Sequence, residues 1–385
     1  MPPVNVLIKP ASSACNMHCA YCFYRDVADN REHAFEGMLS LERMEQVIAA
    51  ATEYADGICS FAFQGGEPTL AGLDFFRQVV ALQEKYRHPG LQIRNAIQTN
   101  GFCIDEEWTE FLEKNKFLVG LSLDGPAELH DLNRRDNQGK RTHDRIMKTV
   151  RLFDKYKVEY NILCVVTGKN AKSIQRIYQF YKKNNFRWLQ FIPCLEPLEQ
   201  ERGEESYHLS VRSYGDFLIR IFDLWYQDLQ RGEYVSIRHL DNWLTILMGE
   251  PAESCDMVGH CSVQFVIEGD GGVYPCDFYV LDQWRLGTVG EQSFAELAQS
   301  ETAMRFIQSS LTVPEKCCAC PAYRVCRNGC RRNRLMTETG TAGENYYCAA
   351  YRRFFTERAR ELQAAARLIL QIRRQNGYRY RSVSW

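Results

Sequence analysis

The sequence predicts an α/β fold: a partial (β/α)6 barrel of TIM-like form, then a loop-rich segment dense in cysteine, then a C-terminal helix. Three observations carry that prediction. β-rich runs alternate with helical patterns over residues 1–234 of the 385-residue chain. A thiol triplet, Cys15, Cys19 and Cys22, follows the first run directly, and nine of the 16 cysteines lie between Cys255 and Cys348. Strands alternating with helices imply βαβ units and a parallel sheet, and right-handed crossovers wind such units into a barrel or part of one. The expected division is residues 1–234, 235–348 and 349–385.

Six runs rich in apolar residues read as strands: Val4–Lys9, Ser60–Gln64, Ile93–Thr99, Leu118–Leu123, Tyr160–Val166 and Trp188–Ile192. Helical patterns lie near 40–56, 71–86, 105–115, 143–157, 170–184 and 211–231. Ser40 and Asp105 stand where N-caps belong, each followed by acidic residues and an apolar-periodic run. In a parallel barrel the catalytic residues gather at the C-terminal ends of the strands. Here those ends carry Gly65-Gly66-Glu67-Pro68, Asn100-Gly101, and Ser122 running into Asp124-Gly125-Pro126. Paired glycines let the backbone approach a ligand or turn through positive φ, and Glu67 can accept from an ammonium group. The same four residues also make an ordinary tight βα turn.

After residue 235 the alternation stops. Gly269-Asp-Gly-Gly, flanked by Gln264-Phe-Val-Ile and Val273-Tyr, reads as a β-hairpin. An amphipathic, basic tail runs from Tyr351 to about Gln375, and its arginines read as a solvated helix face.

Lys and Arg number 47 against 48 Asp and Glu, a net charge of −1 that gives no sign of a nucleic-acid partner. No apolar run is long enough to span a bilayer. The N-terminus lacks the basic-then-apolar pattern of a signal peptide, so the expected location is cytoplasmic. Sixteen cysteines in that compartment are poorly explained as disulfides. Cys59, Cys103, Cys164 and Cys194 are isolated, and Cys164, inside an apolar strand, reads as a small core residue.

The triplet has the form Cys-x3-Cys-x2-Cys, and no fourth cysteine is nearby. A 4Fe–4S cluster wants one thiolate per iron, so three leave one iron open to an exchangeable ligand. The alternatives are a zinc site completed by His18 or His33, or three unrelated thiols. The later cysteines include Cys317-x2-Cys320-x5-Cys326-x3-Cys330. Thiolates this dense repel one another unless a cation or cluster neutralises them. Setting Cys318 aside leaves Cys255, Cys261, Cys276, Cys317, Cys320, Cys326, Cys330 and Cys348, enough for two closed four-thiolate sites. Two zinc ribbons fit the count almost as well.

Several segments are similar to the radical S-adenosylmethionine (SAM) superfamily and, within it, the anaerobic sulfatase-maturating enzymes that carry a SPASM domain. They are Leu7-Ile-Lys-Pro-Ala-Ser-Ser, Cys19-Ala-Tyr-Cys-Phe-Tyr, Phe61-Ala-Phe-Gln-Gly-Gly-Glu-Pro, Phe117-Leu-Val-Gly-Leu-Ser-Leu-Asp-Gly-Pro, Val273-Tyr-Pro-Cys-Asp-Phe-Tyr-Val-Leu and Asn345-Tyr-Tyr-Cys. The triplet and Gly-Gly-Glu mark the superfamily; the Val273–Leu281 stretch and the wording of the strands point to the subfamily.

The resemblance implies three 4Fe–4S clusters, the first on Cys15, Cys19 and Cys22 with SAM on its open iron. It implies that Gly66 and Glu67 hold the methionyl end, Tyr21 the adenine side and Ser122 the ribose. Arg134, or its neighbour Arg135, pairs with the carboxylate, and Leu195 packs on the adenine. Cys255, Cys261, Cys276 and Cys330 are implied to hold one auxiliary cluster, and Cys317, Cys320, Cys326 and Cys348 the other. The implied reaction oxidises a Cys or Ser side chain of an unfolded sulfatase polypeptide to Cα-formylglycine. A 5′-deoxyadenosyl radical takes a Cβ hydrogen, and loss of a second electron and a proton gives a thioaldehyde, which hydrolyses, or an aldehyde directly. The proton needs a base, and Asp277, next to Cys276, is the candidate; otherwise it is a supporting or solvated carboxylate. A reduced donor such as ferredoxin or flavodoxin is implied. The alternative is another SPASM peptide maturase, one that forms thioether or carbon–carbon crosslinks. Those often carry an N-terminal peptide-recognition domain, and the fourteen residues before Cys15 argue against the expectation of such an appendage.

Overall fold

A computed structural model describes residues 2–337 and 342–376. Six strands form the barrel wall: β1 (Val4–Ile8), β2 (Ile58–Phe63), β3 (Gln92–Thr99), β4 (Leu118–Ser122), β5 (Tyr160–Val166) and β6 (Trp188–Pro193). They pair in chain order and all in parallel. Tyr160–Val166 is the expected run unchanged, and the other five are expected runs with their ends adjusted by a residue or two. In β2, Cys59, Phe61 and Phe63 alternate into the core and are fully buried.

Helices cover the outside. In Leu41–Tyr54 the residues Met44, Val47, Ile48 and Ala51 recur at helical spacing and face the sheet. Ser40 Oγ accepts from Arg43 N at 3.1 Å and Asp105 Oδ1 from Trp108 N at 2.9 Å, so both expected caps form. Such a cap contributes about 1 kcal/mol.

A short strand β7 (Ser236–Ile237) extends the sheet beyond β6. At the other edge, β8 (Val266–Ile267) pairs in parallel with β1, followed by antiparallel β9 (Gly272–Tyr274) and β10 (Gly287–Thr288). The hairpin expected around Gly269 is β8–β9. Its attachment to β1 matters for function. Ile267 pairs with Ile8 and Ile8 with Phe63, so the next residues, Glu268, Lys9 and Gln64, fall in one row.

Two helical expectations change. The pattern near 170–184 is two helices, Gly168–Lys172 and Ile174–Lys183, interrupted at Ser173. The C-terminal helix is also two, Cys348–Glu357 and Ala359–Asn376, broken at Arg358. There tertiary pairing outweighs local propensity. Arg358 grips Asp223 of the helix Val211–Gln230 with two bonds of 2.7 and 2.9 Å, and Arg353 binds Asp216 at 2.6 Å. These tail arginines dock a helix rather than only facing water. No described helix is long and apolar enough to cross a membrane.

Candidate active site and thiol clusters

The segment carrying Cys15, Cys19 and Cys22 leaves the end of β1 and enters the helix Phe23–Asp29, with Cys22 at its N-cap. Backbone bonds fix it to the turn beyond β4: His18 N to Arg135 O at 2.8 Å and Ala20 N to Asn133 O at 2.9 Å. Burial pushes the Cys15 thiol up to about 12, and Glu67 and the other two thiols add to the rise. Burial likewise pushes Cys19 up to about 11 against the pull of Arg134. Three thiols so placed keep their protons unless a cation compensates them, which is what iron supplies.

The Gly-Gly-Glu turn lies against this segment. Gly65 has φ +133°, and Gly66 N donates to Ser12 O and Glu67 N to Ala14 O, both at 2.8 Å. A Cβ on Gly66 would sit 2.1 Å from Ala14 O. The glycine is therefore required by a close approach of its backbone to the turn that leads from β1 into the triplet. Glu67 is buried and already engaged. Oε1 accepts from Thr69 N at 3.1 Å and from the Thr69 and Thr99 hydroxyls at 2.7 Å, while Oε2 accepts from Asn100 N at 2.7 Å. Its carboxylate ties the end of β2 to the end of β3, and Oε2, with one donor, can accept a further hydrogen bond.

Arg134 and Tyr21 form a second buried group. Tyr21 donates to Asp124 Oδ2, and Arg134 Nη1 donates to the Tyr21 oxygen at 3.1 Å. Arg134 Nε is buried without a hydrogen-bond partner. Arg135 instead turns outward to Gly139 O at 2.9 Å. An orphaned buried guanidinium N–H beside Cys19 is what the carboxylate of SAM would satisfy, so the residues fit that cofactor. Ser122, buried at the end of β4, and Leu195, half-buried two residues past β6, lie on the same C-terminal rim.

Asp277 follows Cys276 and reaches back to the barrel. It forms an ion pair with Lys9 and accepts from Gln64 Nε2 at 2.7 Å. Lys9 is fully buried, with its ammonium 3.6 Å from the centre of the Tyr24 ring. Tyr24 donates to Glu268, which also pairs with Arg31 at 2.9 Å with both side chains fully buried. Burial pushes Glu268 up to about 7 against the pull of Lys9. Two buried cations, Lys9 and Arg31, are thus balanced by Asp277 and Glu268 behind a carboxylate that itself remains partly accessible.

Lys9, Gln64, Tyr24, Arg31, Glu268 and Asp124 were given no role by the sequence reading. Position was the available signal for three of them. Lys9, Gln64 and Asp124 are polar residues just past the C-terminal ends of apolar strands, where barrel chemistry collects. Cys103, read as isolated, accepts from Asn16 Nδ2 at 2.9 Å beside the triplet.

The later cysteines fall into two groups. Cys276 is raised by burial and feels Cys330, Cys255 and Cys261. Cys326 feels Cys317 and Cys320, and Cys348 feels Cys326. Cys317, Cys320, Cys326 and Cys348 line one cavity of about 180 Å3. Cys318 is exposed and does not line it. Among the described residues, no three His, Cys, Asp or Glu side chains converge tightly enough for a single ion. The thiolates of an iron–sulfur cluster each bind a different iron and stand wider apart.

Residues 10–181 match the family described as the Radical SAM superfamily, and residues 255–321 an iron-sulfur cluster-binding domain designated SPASM. The chain is 50% identical over 356 residues to a cysteine-type anaerobic sulfatase-maturating enzyme of Clostridium perfringens (strain 13 / Type A), covering 92% of this chain and 96% of that one. To the cysteine-type enzyme of Clostridium novyi (strain NT) it is 45% identical, over 96% and 99% of the two chains. A serine-type enzyme of Bacteroides thetaiotaomicron is 32% identical, over 92% and 89%. Among solved structures, native anSMEcpe with bound AdoMet and Cp18Cys peptide superimposes with a TM-score of 0.91 at 47% identity, covering 96% of this chain and all of that one.

Proposed function

This chain belongs to the anaerobic sulfatase-maturating enzymes of the radical SAM superfamily, and from that premise we propose that it oxidises a cysteine side chain of a sulfatase polypeptide to Cα-formylglycine with Asp277 as base. It is a radical SAM oxidoreductase, and its cofactors are S-adenosyl-L-methionine and 4Fe–4S clusters. The preference for cysteine is supported by the identities, 45–50% to cysteine-type relatives against 32% to the serine-type relative described above.

The observation that carries the reading is the setting of Asp277. It adjoins Cys276 and is aimed by Lys9 and Gln64, the residues at the ends of β1 and β2. Cys15, Cys19 and Cys22 would hold the cluster that binds SAM, and that pair would supply radical hydrogen abstraction from the substrate Cβ, while the other clusters would supply one-electron transfer. Arg134 would bind the carboxylate of SAM through its free N–H, Gly66 and Glu67 would hold the methionyl end, and Ser122, Tyr21 and Leu195 would contact the nucleoside. Asp277 accepts the substrate thiol proton at a carboxylate oxygen. Lys9 and Gln64 hold that carboxylate in position beforehand. The thioaldehyde left by loss of the second electron hydrolyses to the aldehyde.

Cys255, Cys261, Cys276 and Cys330 would hold one auxiliary cluster, and Cys317, Cys320, Cys326 and Cys348 the other. The proposal includes a barrel over residues 1–234, a cluster-binding unit over 235–348 and a helical tail from 349. It also includes a ferredoxin or flavodoxin as electron donor and a cytoplasmic setting, where free thiols persist. Anaerobic incubation with SAM, a reductant and a Cys-x-Pro-x-Arg peptide tests the reaction. Mass spectrometry should show thiol converted to aldehyde; a crosslink or an unchanged peptide would overturn it.

A further inference from the structure

A groove of about 790 Å3 is lined by the segments that follow Leu195 and Asp277 in the chain. Its walls are the 196–202 loop that continues from Leu195, the Tyr279–Trp284 stretch that begins two residues past Asp277, and residues 331–336 that follow Cys330. Its charge is strongly positive. The lining holds five arginines and one acid, Glu196, which is already paired with His208 at 2.7 Å.

Most of these arginines are occupied. Arg334 donates to the carbonyls of Asn328, Ser310, Gly259 and Gly329. Arg332 donates to Glu196 O at 2.7 Å and Arg305 to Gln283 O at 2.8 Å. Arg331 differs. It is 4% exposed, and its Nε and Nη1 are buried with no hydrogen-bond partner among the described residues. The rings of Tyr279, Trp284 and Phe306 surround its guanidinium at 4.5, 5.1 and 5.0 Å. Those faces favour the cation but leave its N–H groups unpaired. Buried donors are normally satisfied, so an acceptor is missing.

We propose that Arg331 binds an acidic side chain of the substrate polypeptide, in the segment flanking the target cysteine, as that segment runs along this groove. The inference rests on the function proposed above. A carboxylate is the acceptor that matches a guanidinium with two free N–H donors. An extended chain can lower a side chain to a guanidinium at the groove floor, whereas the convex surface of a globular electron donor cannot reach a group 4% exposed. The groove lining also starts one residue past Leu195 and two past Asp277 in the chain, next to the groups assigned above to SAM and the target cysteine.

The test scans a Cys-x-Pro-x-Arg peptide with Glu, and in parallel Gln, at each flanking position. At one position Glu should lower KM roughly tenfold relative to Gln, the scale of a charge-assisted bond. Arg331→Gln should erase that preference and Arg331→Lys retain part of it, with peptide-independent SAM cleavage and iron content unchanged. Arg331→Glu should prefer Lys at the same position. Equal KM for Glu and Gln peptides throughout in the native enzyme would overturn the proposal, even if Arg331→Gln failed to retain iron. So would a Glu preference that persists in Arg331→Gln, or a variant impaired only in reduction by flavodoxin. Aldehyde formed without any Glu preference refutes the groove alone; no aldehyde from any peptide refutes the function as well.

Discussion

Asp277→Asn separates a base from a brace. In the native site Lys9 binds Asp277 Oδ1, and Gln64 Nε2 donates to Oδ2 at 2.7 Å. Asparagine has the same shape, can still accept from Lys9, and can donate to Gln64 once that amide turns over. Geometry is kept while the negative charge is lost. Lys9, fully buried, is then left without its counter-ion. Breaking a buried pair costs about 3–5 kcal/mol. Because the Asp277 side chain is 14% exposed, the lower end, about 3 kcal/mol, is expected. Loss of a general base lowers turnover by about 10²–10⁴-fold. The assay is anaerobic, with SAM, reductant and a cysteine peptide, counting aldehyde and 5′-deoxyadenosine separately. Aldehyde should fall by at least about a hundredfold while deoxyadenosine stays within about threefold. Adding Lys9→Met removes the stranded cation and should restore most of the stability to urea, but none of the turnover. Aldehyde formation near the native rate in Asp277→Asn, or its recovery in the double variant, would refute the role of Asp277 as base.

Glu268 gives a pH prediction. Burial raises it from 4.5 to about 7, so the folded state binds this proton more tightly than the unfolded one. Stability contributed by the group is therefore full below pH ~4.5 and is lost as pH rises through about 7, by about 3 kcal/mol. Glu268→Gln should flatten that slope in anaerobic urea unfolding between pH 5 and 8; an unchanged slope would contradict the assignment. Gly66→Ala drives a Cβ to within 2.1 Å of Ala14 O, and the displaced backbone should lower SAM cleavage at least about tenfold and reduce iron at the triplet. Wild-type cleavage would mean that the turn has no part in the site. Replacing Cys15, Cys19 and Cys22 together with alanine should abolish SAM cleavage, measured as 5′-deoxyadenosine; any persisting cleavage would place the first cluster elsewhere.

The six barrel strands were legible because each is a contiguous apolar run whose alternate residues, such as Cys59, Phe61 and Phe63, fill the core. The thiol field was legible because so many cysteines have few explanations in a chain without disulfides. What was not legible is long-range. Lys9 meets Asp277 across 268 positions and Tyr24 meets Glu268 across 244, contacts created only when β8 pairs with β1. The grouping of Cys276 with Cys330, and of Cys326 with Cys348, is equally a product of the folded loops. The helices Phe23–Asp29 and Ala127–Asn133, seven residues each, are too short to show a helical period. Glu67 marks a different limit. Its chemistry suits an ammonium ligand, but only the structure shows that it also ties the end of β2 to Thr99 and Asn100 at the end of β3.

The central claim is hydrogen abstraction from the Cβ of a bound cysteine, followed by oxidation to the aldehyde. A peptide deuterated at both Cβ positions of its cysteine tests it most directly. One deuterium should appear in 5′-deoxyadenosine for each aldehyde formed, with the other retained on the aldehyde carbon. Aldehyde accompanied by unlabelled 5′-deoxyadenosine would contradict it.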